Sequence, residues 1–200
     1  FIDWLEKTLP NLKISLRIPK SRRFVPSGVH ATCIGIEKVL PHYSWMGTWT
    51  YNRGHLSALA THLRTALATG TEHDALNACL AILKWGGVRG AVSYLHAKAH
   101  APNPADALKA YLHSRKHLFD LTGPQRLAHL DAATIEKFDA GMTKIYSLLD
   151  TTGSPIYDSR VGAAMAMLYQ CHLWSSSKKK NSLLNFPSGS ARGKQIRNPG

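Results

Sequence analysis

The stretch Phe138-Asp139-Ala140-Gly141-Met142-Thr143-Lys144-Ile145-Tyr146-Ser147-Leu148-Leu149, continued through Asp150-Thr151-Thr152-Gly153 to Ser154-Pro155-Ile156-Tyr157-Asp158-Ser159-Arg160-Val161, decides how the chain reads. It predicts a short helix over 134–138, a tight turn at Gly141 and a second helix over 143–149. The chain then turns through Gly153-Ser154-Pro155 and sets Asp158 immediately before a long helix over 159–174. An aspartate there is expected to be the N-cap, its carboxylate accepting the orphan N–H groups of the first turn.

Outward from this stretch the same period persists. Leu56, Leu59, Ala60, Leu63 and Leu67 recur at helical spacing, as do Leu76, Cys79, Leu80 and Leu83, and predict helices over 56–68 and 72–84. Gly86-Gly87 stops the second of these, reading as a helix C-cap and tight turn in preference to a phosphate-cradling loop. Further helices are expected over 91–99, 105–120 (opened by Pro104) and 125–130. Residues 12–51 are broken by Pro19, Pro26, Gly28, Pro41 and Gly47, and read as mostly loop with a short helix around 32–40. Almost nothing alternates with period two, so the predicted class is all-α. The expected organisation is an irregular N-terminal segment, 1–53, packed on a helical domain, 54–174, followed by a basic C-terminal tail, 175–200.

The 200 residues carry 25 Lys+Arg against 12 Asp+Glu, a formal charge of +13 before any of 11 histidines protonates. With 44% hydrophobic residues, a chain of this length can bury about 70% of its unfolded surface, which excludes disorder throughout. No segment reaches the roughly 20 apolar residues of a bilayer span. Phe1 to Pro10 does not fit a secretory signal, and without an initiator Met the sequence reads as a trimmed piece. Cys33, Cys79 and Cys171 are odd in number without CxxC spacing, and read as reduced, buried thiols of an intracellular protein. The positive charge lies at both ends: Lys13, Arg17, Lys20, Arg22 and Arg23 precede the balanced middle, and Arg160, Lys178, Lys179, Lys180, Arg192, Lys194 and Arg197 follow Asp158, the last carboxylate. Such a balance favours an anionic partner.

Gly141-Met142-Thr143-Lys144 and Pro155-Ile156-Tyr157-Asp158-Ser159-Arg160-Val161 resemble the helix-hairpin-helix superfamily of DNA glycosylases, most clearly over 105–169. The resemblance implies a helix-hairpin-helix DNA glycosylase-like helical domain and excision of a flipped modified or damaged base. Lys144 would be the amine nucleophile of a glycosylase/lyase and Asp158 the catalytic carboxylate; in a monofunctional member Lys144 would contact phosphate and Asp158 act on a water. The chain keeps one hairpin glycine where the usual pattern is Leu-Pro-Gly-x-Gly, and it lacks the cysteine cluster some members carry, which excludes an iron–sulfur cluster. Double-stranded DNA is the implied partner of a monomeric, cytoplasmic, nucleoid-associated bacterial protein, with no membrane, metal or cofactor. Gly141, Thr143 and Arg160 would grip DNA together with Lys178, Lys179, Lys180, Arg192, Lys194 and Arg197.

The residue types suit that chemistry. Breaking the N-glycosidic bond builds positive charge on the sugar, which a nearby carboxylate stabilises, and a helix N-terminus keeps an aspartate ionised. A lysine attacks when its amine is partly neutral. An extruded base needs an aromatic pocket, for which Trp45, Trp49 and Tyr51 are the candidates. Taken singly, Asp158 also reads as a plain N-cap and Lys144 as a solvated helix lysine. The His96/His100 and His113/His117 pairs have metal-like spacing but no third ligand, and read as surface or phosphate-contacting histidines. Two further readings stand beside the first: a non-catalytic DNA-binding protein of the same architecture, and a phage-defence glycosylase acting on hypermodified viral bases.

Overall fold

The computed structural model describes residues 1–21, 25–124 and 129–175, together with the backbone of 189–190 and 196–197. The chain is predominantly helical with a small two-stranded sheet. It divides into two compact units, one formed by Phe1–His55 with Ser159–Gly200, the other by Leu56–Asp158. This differs from the expected division at 54 and 175, because the long helix starting at Ser159 belongs with the N-terminal residues.

In the first unit, α1 (Ile2–Thr8) is followed by a hairpin of β1 (Lys13–Ile18) and β2 (Val29–Ile34), then a 3-10 segment Ile36–His42. The hairpin corrects the expectation of loops over its two strands; of the short helix expected around 32–40, residues 32–34 are strand and residues 36–40 are helical, as part of the 3-10 segment. Lys13-Ile14-Ser15-Leu16-Arg17 does alternate, and the antiparallel register sets Ile14 opposite Cys33 and Leu16 opposite Ala31 on one face. Six-residue strands flanked by proline and glycine carry too few alternations to stand out beside the turn signals. The helix α7 (Ser159–Ser175) joins this unit through rings: Phe1 packs edge-on against Tyr169 at 5.2 Å, and Trp4 lies 5.4 Å from His172. A two-residue ladder, Gly189–Ser190 with Ile196–Arg197, completes its described part.

The second unit is built around α3 (Glu72–Gly86), which packs against α4 (Val92–Ala99), α5 (Leu108–Arg115) and α6 (Met142–Leu149). Its first turn is closed by a capping box, the Thr71 hydroxyl accepting from Asp74 N–H while the Asp74 carboxylate accepts from Thr71 N–H. Its end is closed by Gly87 in the left-handed conformation, with Gly87 and Val88 N–H returning to Lys84 and Leu83 carbonyls. The Gly86-Gly87 turn is therefore the helix stop read from the sequence. Leu63, Ile82, Leu83, Leu95, Leu108, Leu112, Met142 and Ile145 meet in one core with essentially no exposure. The helix α2 (Trp49–Thr69) starts earlier than predicted, because Asn52, fully buried, donates its amide to the carbonyls of Trp45, Gly47 and Thr48 and closes the preceding turn.

The helix expected over 134–138 is not formed. The Asp131 carboxylate accepts from the N–H groups of Ala133 and Thr134, its carbonyl accepts from Thr134 and Ile135 N–H in a single turn, and Glu136 gives its N–H to the Tyr111 hydroxyl, so the turn is not continued into a helix. The segment expected to be the first hairpin arm is thus a turn and an irregular run. The helix expected over 105–120 forms as Pro104–Asp106, α5 and a 3-10 turn Lys116–Phe119, and that expected over 125–130 falls largely outside the described residues. Among the described residues no helix is long and apolar enough to cross a membrane.

Candidate active site

The helix α6 begins where the Asp139 carboxylate accepts hydrogen bonds from Gly141 and Met142 N–H at 2.9 and 3.0 Å. Its apolar stripe of Met142, Ile145, Tyr146 and Leu149 turns into the core, where the Tyr146 ring stacks on Phe119 at 4.1 Å and its hydroxyl donates to Tyr111. Burial, with the bond to Tyr111, raises the pKa of that hydroxyl far above the ordinary tyrosine value and keeps it neutral.

Two polar residues are buried with this helix, Thr143 and Lys144. Lys144 is only 5% exposed, which contradicts the reading of a solvated lysine. Its side chain runs across Gly86, the last residue of α3, so closely that a Cβ there would lie 2.7 Å from Lys144 Cδ and 2.8 Å from Cε. The ammonium donates to the Ala140 carbonyl at 2.8 Å and stands 3.9 Å from Asp158 Oδ2. The carboxylate side chain of Asp158 keeps 20% exposure, so the pair is buried on the lysine side and open on the aspartate side.

Asp158 is brought to Lys144 by hydrogen bonds along a neighbouring face of α6. Thr143 and Ser147, one turn apart, donate their hydroxyls to the carbonyls of Tyr157 at 2.5 Å and Ser154 at 2.6 Å. These two bonds lay the irregular segment 154–157 along the helix, so the residue that follows it arrives beside Lys144. The turn before this segment is tied by Asp150, whose carboxylate accepts from Thr152 N–H, Thr152 hydroxyl and Ser154 N–H. Burial pushes the Asp150 pKa up, but the bonds from Ser154, Thr152 and Thr151 outweigh it and hold the carboxyl below the ordinary aspartate value.

The two expected catalytic residues are therefore adjacent, within one compact unit. The other expected site residues are dispersed. Gly141 and Thr143, read as DNA-gripping, are buried: a Cβ at Gly141 would meet Leu83 Cδ2 at 2.9 Å and Ala91 Cβ at 3.2 Å, and the Thr143 hydroxyl is engaged by Tyr157. Arg160 is exposed, with its guanidinium 5.9 Å from the Trp45 ring. Lys178, Lys179, Lys180, Arg192 and Lys194 lie outside the described residues, and Arg197 contributes only its backbone to the short ladder. Of the expected base-pocket residues, Trp45 lines a largely apolar cavity of about 840 Å³ in the first unit, with Leu16, Ile18, Leu40, Tyr43 and Arg160. Trp49 instead meets Tyr43 edge-on, and Tyr51, 61% exposed, stacks on His55. Among the described residues no group of three or more His, Cys, Asp or Glu side chains converges to hold a metal ion.

Sequence reasoning missed Gly86, Ser147 and Asp150. For Asp150 a signal was present, since Asp150-Thr151-Thr152-Gly153-Ser154 is rich in residues that close Asx turns. No family model, curated protein or solved structure matches the chain.

Proposed function

We propose that the protein is a DNA glycosylase acting on a modified or damaged base turned out of the duplex, with Lys144 as nucleophile and Asp158 as the carboxylate that stabilises the sugar cation. The observation that carries this reading is the Lys144–Asp158 pair, a buried amine 3.9 Å from a half-open carboxylate. Groups so spaced can both approach one carbon centre at about 3–3.5 Å, the separation of a near-attack geometry. In the reaction the Lys144 ammonium first gives a proton to the Asp158 carboxylate, which frees the Nζ lone pair; the Nζ–C1′ bond then forms as the C1′–N bond to the base breaks, the electron pair leaving with the base. The base takes the proton held by Asp158, which restores the carboxylate beside the sugar, and the secondary ammonium passes a proton to the ring oxygen as the ring opens. Opening of the sugar ring then gives the Schiff base from which strand cleavage proceeds.

The positive charge of +13 supports an anionic polymer as partner. Duplexes bearing different base lesions, incubated with borohydride, test the reading. Wild-type protein is expected to release the base and form a covalent adduct, Lys144→Gln to lose the adduct, and Asp158→Asn to lose base release. Unchanged excision by Asp158→Asn refutes the assignment. A silent DNA-binding protein would instead bind duplex in a salt-sensitive way that survives Asp158→Asn and yield no abasic product. Phage DNA with and without base hypermodification, used as paired substrates, separates defence from repair.

A further inference from the structure

Gly86 contacts Lys144, and the hydroxyls of Thr143 and Ser147 hold the segment that leads to Asp158; neither feature is explained by core packing alone. On the lysine side, Gly86 is helical with no positive φ, so alanine fits its backbone. What alanine would meet within 3 Å is the Lys144 side chain; the next neighbour, Val88 Cγ2, is at an ordinary 3.6 Å. The bare Cα at position 86 therefore serves as the floor on which Lys144 lies. On the aspartate side, both hydroxyl bonds go to carbonyls of the segment 154–157 that leads to Asp158, and a valine or alanine would fill most of the same space without holding that segment.

We infer that Gly86, Thr143 and Ser147 are positioning residues that set the separation of the Lys144 amine and the Asp158 carboxylate. The inference rests on the glycosylase reading for its catalytic consequence, and on the geometry alone for its structural one. A Cβ at position 86 must push Lys144 Cδ and Cε outward by roughly 1 Å to reach ordinary van der Waals contact at 3.5–4 Å. A displacement of that size at a reacting atom costs about 100-fold in rate. Loss of a hydroxyl clamp lets the segment 154–157 move relative to α6, with the same effect on Asp158.

The test compares Gly86→Ala, Thr143→Val, Thr143→Ser and Ser147→Ala in the full chain, with Lys144→Gln as control. Gly86→Ala is expected to unfold at the wild-type temperature or above, to bind duplex with unchanged Kd, and to form the borohydride adduct 10- to 100-fold more slowly. Thr143→Val and Ser147→Ala are expected to lower kcat with KM unchanged, and Thr143→Ser, which keeps the donor, to restore it. A readout free of activity is acetylation of Lys144 by an N-hydroxysuccinimide ester, followed by peptide mass spectrometry across pH. Gly86→Ala is expected to label several-fold faster at Lys144 and nowhere else. Equal labelling of Lys144 in wild type and Gly86→Ala overturns the inference, as does a Thr143→Ser variant as slow as Thr143→Val. A Lys144→Gln variant that still forms the adduct refutes Lys144 as the nucleophile, and wild-type protein that releases no base and forms no adduct refutes the glycosylase reading instead; either result leaves the labelling comparison to decide the geometry.

Discussion

Replacing Gly141 with alanine separates two roles for this glycine, a DNA-facing hairpin turn and a close contact between helices. Its backbone lies in the right-handed helical region, φ −80° and ψ −54°, so alanine introduces no backbone strain. The added methyl would stand 2.9 Å from Leu83 Cδ2, 3.2 Å from Ala91 Cβ and 3.2 Å from Asp139 Oδ1. Leu83 and Ala91 are core residues with 1% and 0% exposure, so α6 must shift away from α3 and α4 to make room. Overpacking of this kind costs about 1–3 kcal/mol, and the lower entropy of the unfolded chain returns roughly 0.4–1 kcal/mol. A net loss of roughly 1–2 kcal/mol corresponds to a fall in unfolding temperature of about 2–8 °C for a chain of this size. Thermal unfolding followed by circular dichroism, with urea titration to check that the m-value is unchanged, measures it. An unfolding temperature equal to or above wild type, together with weakened duplex binding, would refute the packing argument and return Gly141 to the DNA interface.

Asp150→Asn is expected to flatten the acid limb of stability. The folded pKa of Asp150 is depressed, so its contribution is complete above the unfolded value of about 3.9 and is lost as pH falls through the folded value; unfolding midpoints between about pH 5 and 2 should drop less in the variant than in wild type. Asn52→Ala removes a fully buried amide that donates to three carbonyls of the turn before α2, and is expected to cost about 1–3 kcal/mol and to alter the emission of Trp45, whose carbonyl it holds at 2.7 Å; unchanged stability would show the turn to be self-supporting. Cys79 is buried without exposure and its thiol is pushed up to about 12 by desolvation, so at pH 8 iodoacetamide should label the partly exposed Cys171 and spare Cys79 until the second unit unfolds. Early labelling at Cys79 would mean that the core around α3 opens readily.

Helix identity was legible wherever a long apolar period ran between clear stops. Residues 72–84 show it best, with Leu76, Cys79, Leu80 and Leu83 at helical spacing before the Gly86-Gly87 stop, and the helix forms over Glu72–Gly86. The hairpin of β1 and β2 was not legible, since each strand presents only a few alternations among turn residues and gains its hydrogen bonds from the other. The segment 134–138 was misread for a related reason: its donors go to Asp131 and to Tyr111, and the latter is distant in sequence.

For the site, Lys144 and Asp158 were singled out by the resemblance of Gly141-Met142-Thr143-Lys144 and Pro155–Val161 to helix-hairpin-helix DNA glycosylases; taken singly they read as a solvated helix lysine and a plain N-cap. Local signals sufficed only for their placement, a helix over 143–149 and an aspartate before the next helix. Burial of Lys144, its path over Gly86 and its 3.9 Å approach to Asp158 belong to the tertiary structure. They depend on α3 ending beneath α6, and on two hydroxyls of α6 finding carbonyls 7 and 14 residues further along the chain. A solvated lysine and a buried one share the same letters; what separates them is which backbone comes to lie against the side chain, and long-range packing decides that.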